Sequence, residues 1–168
     1  AKIDVAKKLM TQLLDSLRYI GNIELALRVY GHQKPFPPQD CDDSRLEVPF
    51  SKGNIPRIQE VLKGLIPRGT TPIAHSLELC GNDFPQSASR NIVILITDGI
   101  EECGGDPCKA RQKLIEKGIV FKPFIIGIGL TVEQIKTFEC VGTYFDYDAS
   151  NTFTDISQII IKQKFNKT

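Results

Sequence analysis

Apolar residues recur at three- and four-residue steps through Ile3, Ala6, Met10, Leu13 and Leu17, with lysines on the opposite face, so Lys2 to Arg18 reads as an amphipathic helix. Gly21 closes it. From Ile23 to Tyr30 the apolar positions Ile23, Leu25, Leu27 and Val29 alternate with Glu24, Ala26 and Arg28, the period of a strand. Gln33 to Asp43, with three prolines and three aspartates, is a loop. Arg45 to Phe50 is a short extended segment, placed at a sheet edge by Pro49, which cannot donate to a ladder. Helical spacing returns over Asn54 to Ile66, and a further helix opens at Thr71-Pro72, a suitable N-cap and first-turn pair.

Asn91 to Thr97 is an unbroken aliphatic run of the kind buried on both faces of a parallel sheet, and it stops at Asp98-Gly99. A loop over Ile100 to Gly105 leads to Asp106-Pro107, another N-cap and first-turn pair, which opens a helix to about Lys117. Ile119 to Ile128 predicts a second long strand, Thr131 to Cys140 a helix, Thr143 to Tyr147 a short strand and Thr154 to Phe165 a last helix. Strands and helices alternate without a repeat or linker. The expectation is one α/β domain over residues 1–168: three layers, Rossmann-like, with a mostly parallel central sheet, helices on both faces and one antiparallel edge strand.

Composition removes several function classes. Basic and acidic side chains number 21 and 20, a net charge of +1, which supplies no basic footprint for binding nucleic acid through its phosphates. The longest aliphatic run, Ile92 to Ile96, falls far short of the ~20 apolar residues of a membrane span. No apolar leader precedes the first helix.

Ligands of open α/β sheets bind beyond the carboxyl ends of the strands. That places Tyr30 to Asp43, Asp98 to Asp106 and Gly127 to Thr131 at the candidate rim, joined by the hydroxyls of Gly69-Thr70-Thr71-Pro72. A turn aspartate would explain Asp98 alone, and an N-cap would explain Thr71 alone. Together they are hard oxygen donors suited to magnesium, with manganese or calcium as alternatives. The acids at 40, 42 and 43 lack the glycine and terminal glutamate of an EF-hand loop, and Gly127-x-Gly129 lacks the third glycine of a dinucleotide turn.

Of five cysteines, Cys103 and Cys108 are close enough for a local disulfide, and Cys41 with Cys140 is a candidate second bridge. A zinc site drawing on those four is the rival, weakened by the lack of any Cys-x-x-Cys pair. Cys80, in a helix, is read as free and buried. His32 and His75 are read as structural residues, since neither belongs to a metal or nucleophile motif.

Gly69-Thr70-Thr71-Pro72-Ile73-Ala74 and Ile94-Leu95-Ile96-Thr97-Asp98-Gly99, in that order, resemble the von Willebrand factor A (vWA) domain with its metal-ion-dependent adhesion site. The Cys-Gly-Gly-Asp-Pro-Cys string at 103–108, with Tyr30-Gly31-His32, Asp40-Cys41-Asp42-Asp43 and Phe138-Glu139-Cys140, resembles a bacterial cell-envelope branch of those domains. The resemblance implies Thr71, or Thr70 in another alignment, and Asp98 as metal ligands, with His32, Asp42 and Glu101 at the rim. It implies a periplasmic or extracellular module, part of a larger polypeptide, that binds a protein partner through an acidic side chain completing the magnesium shell. A magnesium-dependent hydrolase and a scaffold with a vestigial metal site are the rivals; no nucleophile with a partner supports an enzyme. The family's Asp-x-Ser-x-Ser motif does not occur in these residues. Its place, with a central strand between Ile23–Tyr30 and Asn91–Thr97, lies upstream of Ala1, so a preceding segment or a strand from another chain is expected.

Overall fold

The computed structural model describes residues 1–85, 90–119, 123–148, 155, 156 and 158. Helix α1 (Lys2–Leu17) is followed by strands β1 (Leu25–Tyr30) and β2 (Ser44–Ser51), then helices α2 (Ile55–Gly64) and α3 (Ile73–Asp83). Strand β3 (Ile94–Thr97), helix α4 (Pro107–Glu116), strand β4 (Phe124–Gly127), helix α5 (Val132–Lys136) and strand β5 (Thr143–Asp146) complete the order. Of the last helix expected over 154–165, only residues 155, 156 and 158 lie within the described residues.

The α/β class is observed, but the expected single sheet is divided. β1 and β2 form a two-stranded antiparallel sheet, and β3, β4 and β5 form a three-stranded parallel one in that order. The parallel register is in step, with Ile94 opposite Phe124 and Thr97 opposite Gly127, then Phe124 opposite Thr143. The antiparallel pair carries irregularities on either side of Leu27. Among the described residues β3 begins at Ile94, opposite Phe124, later than the aliphatic run predicted.

Side-chain alternation explains the layers. Val93 and Leu95 of the β3 segment and Ile125 of β4 pack with Ile73, Ala74 and Leu77 of α3 and with Ala110 and Leu114 of α4. Ile94 and Ile96, with Ile126 and Ile128, face the other way, onto Leu9, Leu13 and Leu17 of α1. Successive strand residues thus feed opposite faces, as the period of two requires. The antiparallel pair has its own cluster, in which Leu27 and Val48 meet Leu14 of α1 and Ile58 and Leu62 of α2. α1 therefore covers one face of both sheets. α3 crosses behind both as well, since Arg28 of β1 reaches Asp83 at its end, with nitrogen to oxygen distances of 2.7 and 2.8 Å.

The starts of two predicted helices hold, although α5 ends at Lys136 and not at the expected Cys140. Asp106 caps α4 by accepting from the Cys108 and Lys109 amides, with Pro107 in the first turn. Thr131 opens α5 with a capping box to Gln134. At α3 the expected arrangement differs: Thr71 does not cap the helix, and the carboxylate of Glu101 takes the amides of Ile73 and Ala74 at 3.0 and 3.2 Å. A charged acceptor from a neighbouring loop matches the positive helix N-terminus better than a hydroxyl does.

The cysteine pairing is corrected. Cys41 bonds Cys103, with Cα atoms 5.6 Å apart, and Cys108 bonds Cys140, 5.4 Å apart, so neither the local Cys103–Cys108 bridge nor a Cys41–Cys140 bridge forms. The Asp106 cap fixes Cys108 in the first helical turn, where it packs on the cluster holding Phe138 and Val141, beside Cys140. Cys103 precedes the chain reversal at Gly104, where φ is +72°. With all four sulfurs paired, no thiolates remain for the zinc alternative. Cys80 is free, as expected, and half-buried; burial pushes its thiol up to about 12, with nearby Asp83 adding to the rise and Arg28 opposing it.

Candidate functional site

The carboxyl ends of β1 and β3 are tied by a chain of hydrogen bonds. The Tyr30 phenol donates to Thr97 Oγ1 at 2.9 Å, and that hydroxyl donates to the Gly99 carbonyl at 3.0 Å. Burial pushes the phenol up to about 12; the bond to Thr97 opposes that rise, and the carboxylates of Asp98 and Glu101 add to it. The turn that carries Asp98 is thus fixed by a neutral, half-buried donor. Asp98 itself is exposed and has no hydrogen bond or ion pair among the described residues.

Thr71 lies against this turn, its Cγ2 in contact range of any Cβ added at Gly99. Its hydroxyl donates to Glu102 Oε2 at 2.9 Å, and its carbonyl accepts from the Glu102 amide at 3.3 Å. Thr70 is buried, 3% exposed, and its Oγ1 has no hydrogen-bond partner. The structure therefore brings Thr70, Thr71, Asp98 and Glu101 together at one rim and adds Glu102, which the sequence reading missed.

The other rim candidates are placed differently. His32 is mostly enclosed and engages Glu47 at 2.6 Å. Asp42 is exposed, 3.9 Å from His75 Nε2. Its neighbour Asp43 is the organiser: fully buried, its carboxylate accepts from the amides of Gln33 and Lys34, and its carbonyl accepts from the Gly31 amide at 2.9 Å. Asp43 closes the 31–43 loop, and Cys41–Cys103 fastens that loop to the one after β3.

Gly31 sets how closely these loops approach. Its φ is +67°, and a Cβ there would overlap the Thr70 carbonyl oxygen. Gly31→Ala is expected to destabilise the protein by more than about 1 kcal/mol in urea melts, through both strain and overlap. An unchanged midpoint would mean that the loops can part without penalty.

An ion at this rim would meet oxygen donors of the right chemical kind but too few of them. Asp98 offers one free carboxylate, Glu101 is committed to α3, and Thr71 and Glu102 are committed to each other. Among the described residues no group of three histidine, cysteine, aspartate or glutamate side chains is arranged to hold a metal. These residues alone do not fit a complete divalent-ion site.

No protein-family profile matches the chain. The protein YwmD of Bacillus subtilis (strain 168) is 31% identical over 179 residues, covering 99% of this chain and 78% of that protein. The chain belongs to the YwmD family. Among solved structures, BatB of Bacteroides thetaiotaomicron superposes with a TM-score of 0.74 at 21% identity, over 96% of this chain and 88% of that one. Proximal thread matrix protein 1 of the mussel byssus, whose structure has a zinc-occupied MIDAS motif, gives 0.64 at 21% identity, over 95% of this chain and 41% of its own. These likenesses are of fold alone and fit a vWA-like arrangement for this member of the YwmD family, whose described strands form two separate sheets in place of one full sheet. Its two disulfides fit an extracellular or envelope location. No helix of the described residues is long and apolar enough to cross a membrane.

Proposed function

We propose that this chain is the body of an adhesion or assembly module that binds a protein partner and has no reaction of its own. The observation that carries the reading is Asp98: a free carboxylate, rigidly held at the carboxyl end of β3, beside Thr71. On this reading the two contribute to a magnesium site whose remaining ligands come from an additional extended segment, and an acidic side chain of the partner fills the last position.

The two sheet edges support such a segment. Among the described residues β1 and β3 each have an unpaired edge, and their carboxyl ends are held together by the Tyr30–Thr97 bond. Ile94, Ile96 and Leu25 are only partly buried around α1, so an apolar strand inserted there would pair two open edges and cover exposed aliphatic surface. α1 begins at the same rim, with Lys2 beside Gly129, which is where a strand running parallel to β3 would deliver the chain. We propose that this strand precedes α1 in the natural protein.

Calorimetric titration tests the reading. Residues 1–168 alone are expected to bind magnesium no more tightly than about millimolar, and the full-length protein at least about tenfold more tightly. Asp98→Ala should return the full-length protein to the weaker value. Tight binding by residues 1–168, or an indifferent Asp98→Ala, would contradict it.

A further inference from the structure

We infer that the 31–43 loop forms, with the segment before Thr70, a second contact surface beside the rim, and that its partner is an acidic protein segment carrying an apolar side chain. The inference rests on the adhesion-module reading and specifies the partner of that same site. Five large apolar side chains are exposed among the described residues, and two of them, Phe36 at 56% and Ile66 at 60%, lie in the two segments that meet at Thr70. Single exposed apolar residues are ordinary, so the case depends on how these are held and on what surrounds them.

Phe36 lies against Gly69, within van der Waals reach of any Cβ added there. Its loop is anchored at both ends and between: the Asp43 carboxylate takes the Gln33 and Lys34 amides, the Arg68 amide donates to the Gly31 carbonyl at 2.7 Å, and Gln39 Nε2 donates to the Glu102 carbonyl at 3.0 Å. The disulfide at Cys41 adds a covalent tie. An aromatic side chain on so constrained a loop loses little freedom on binding, which is what makes an effective contact anchor.

Charge selects the partner. Lys34 and Arg68, next but one to Phe36 and Ile66 in sequence, are exposed and form no ion pair among the described residues. Of the three acids of the same loop, Asp43 is buried, Asp40 accepts from the Asp42 amide at 2.9 Å, and the exposed Asp42 lies 3.9 Å from His75. An exposed aromatic side chain held against Gly69 between segments that carry Lys34 and Arg68 complements an acidic segment with one apolar residue. Such a segment could place one carboxylate on the rim and its apolar side chain on Phe36.

The test is amide-shift titration of the nitrogen-15-labelled full-length protein, with magnesium present. The probes are three short synthetic peptides: one acidic with a central leucine, one with that leucine replaced by serine, and one with lysine at every acidic position. The first should shift the amides of Lys34, Phe36, Ile66 and Arg68; the second should bind about tenfold more weakly and the third not detectably. Phe36→Ser, and separately Lys34→Glu with Arg68→Glu, should each weaken the first peptide about tenfold or more. Because all three positions are exposed, these variants are expected to keep the native amide spectrum. If Asp98→Ala abolishes binding while Phe36→Ser does not weaken it, the contact surface is wrong and the metal reading stands. If Phe36→Ser abolishes binding and Asp98→Ala leaves it intact, the surface stands and the metal reading falls. Absence of shifts at all four amides overturns the inference.

Discussion

Asp83→Ala is expected to lower unfolding free energy by about 3–5 kcal/mol, measured by urea denaturation, because it strands the Arg28 guanidinium in a nearly buried position. The two side chains are 15% and 10% exposed and meet through two parallel hydrogen bonds of 2.7 and 2.8 Å. Arg28 also donates to Ser44 Oγ at 3.2 Å, so the guanidinium joins both strands of the antiparallel sheet to the end of α3. Asp83 sits in the last turn of α3, which has no basic residue of its own. Without Arg28, a carboxylate there would oppose the helix dipole. Replacing both partners, as Arg28→Met with Asp83→Leu, should recover most of the loss, since the larger penalty lies in the unpaired charge and not in the absent pair. A single-variant loss below about 1 kcal/mol would mean that water already reaches the guanidinium.

Cys41→Ser with Cys103→Ser is expected to lower stability by about 4 kcal/mol, the chain-entropy value for a closed loop of this size. The bridge joins residues 62 apart in sequence and couples the Asp43-organised loop to the turn after Asp98. Its loss should therefore raise hydrogen exchange over 31–43 and 99–106 before the core amides of β4 are affected. The Cys108–Cys140 bridge spans 32 residues and clamps α4 to the segment after α5, so the corresponding serine pair should lose a little less and leave exchange at the rim unchanged. Equal exchange at the rim in both variants would show that the first bridge does not organise it.

What the sequence disclosed was mostly local. Asp106-Pro107 and Thr131 mark helix starts because their capping partners lie two or three residues away. The aliphatic run ending at Asp98 indicates a strand buried on both faces, and the structure places its alternate residues in opposite clusters. The placement of Thr71 beside Asp98 was legible only through the order of two short motifs that resemble the vWA domain.

What was missed depends on distant partners. Glu101 caps a helix that begins 28 residues earlier, and no signal near Thr71 announces an acceptor from the other side of the rim. Three aspartates within four residues look alike in sequence, yet the turn at Gly31 buries Asp43 and leaves Asp42 in solvent. Arg28 and Asp83, 55 residues apart, are unremarkable until α3 lies across β1. The cysteine pairing likewise follows from the direction in which the α4 cap turns Cys108. The division of the described strands into a two-stranded and a three-stranded sheet was not legible in the alternation of strands and helices, because each local pattern is the same whether or not its neighbour pairs with it.

The most direct test of the account is paramagnetic broadening of the labelled full-length protein by manganese, which substitutes for magnesium at oxygen sites. Selective broadening of the Thr71, Asp98 and Gly99 amides at substoichiometric manganese, abolished by Asp98→Ala, is the predicted result. Broadening confined to other acidic surfaces, or unchanged by Asp98→Ala, would contradict the assignment of this rim as the metal-dependent binding site.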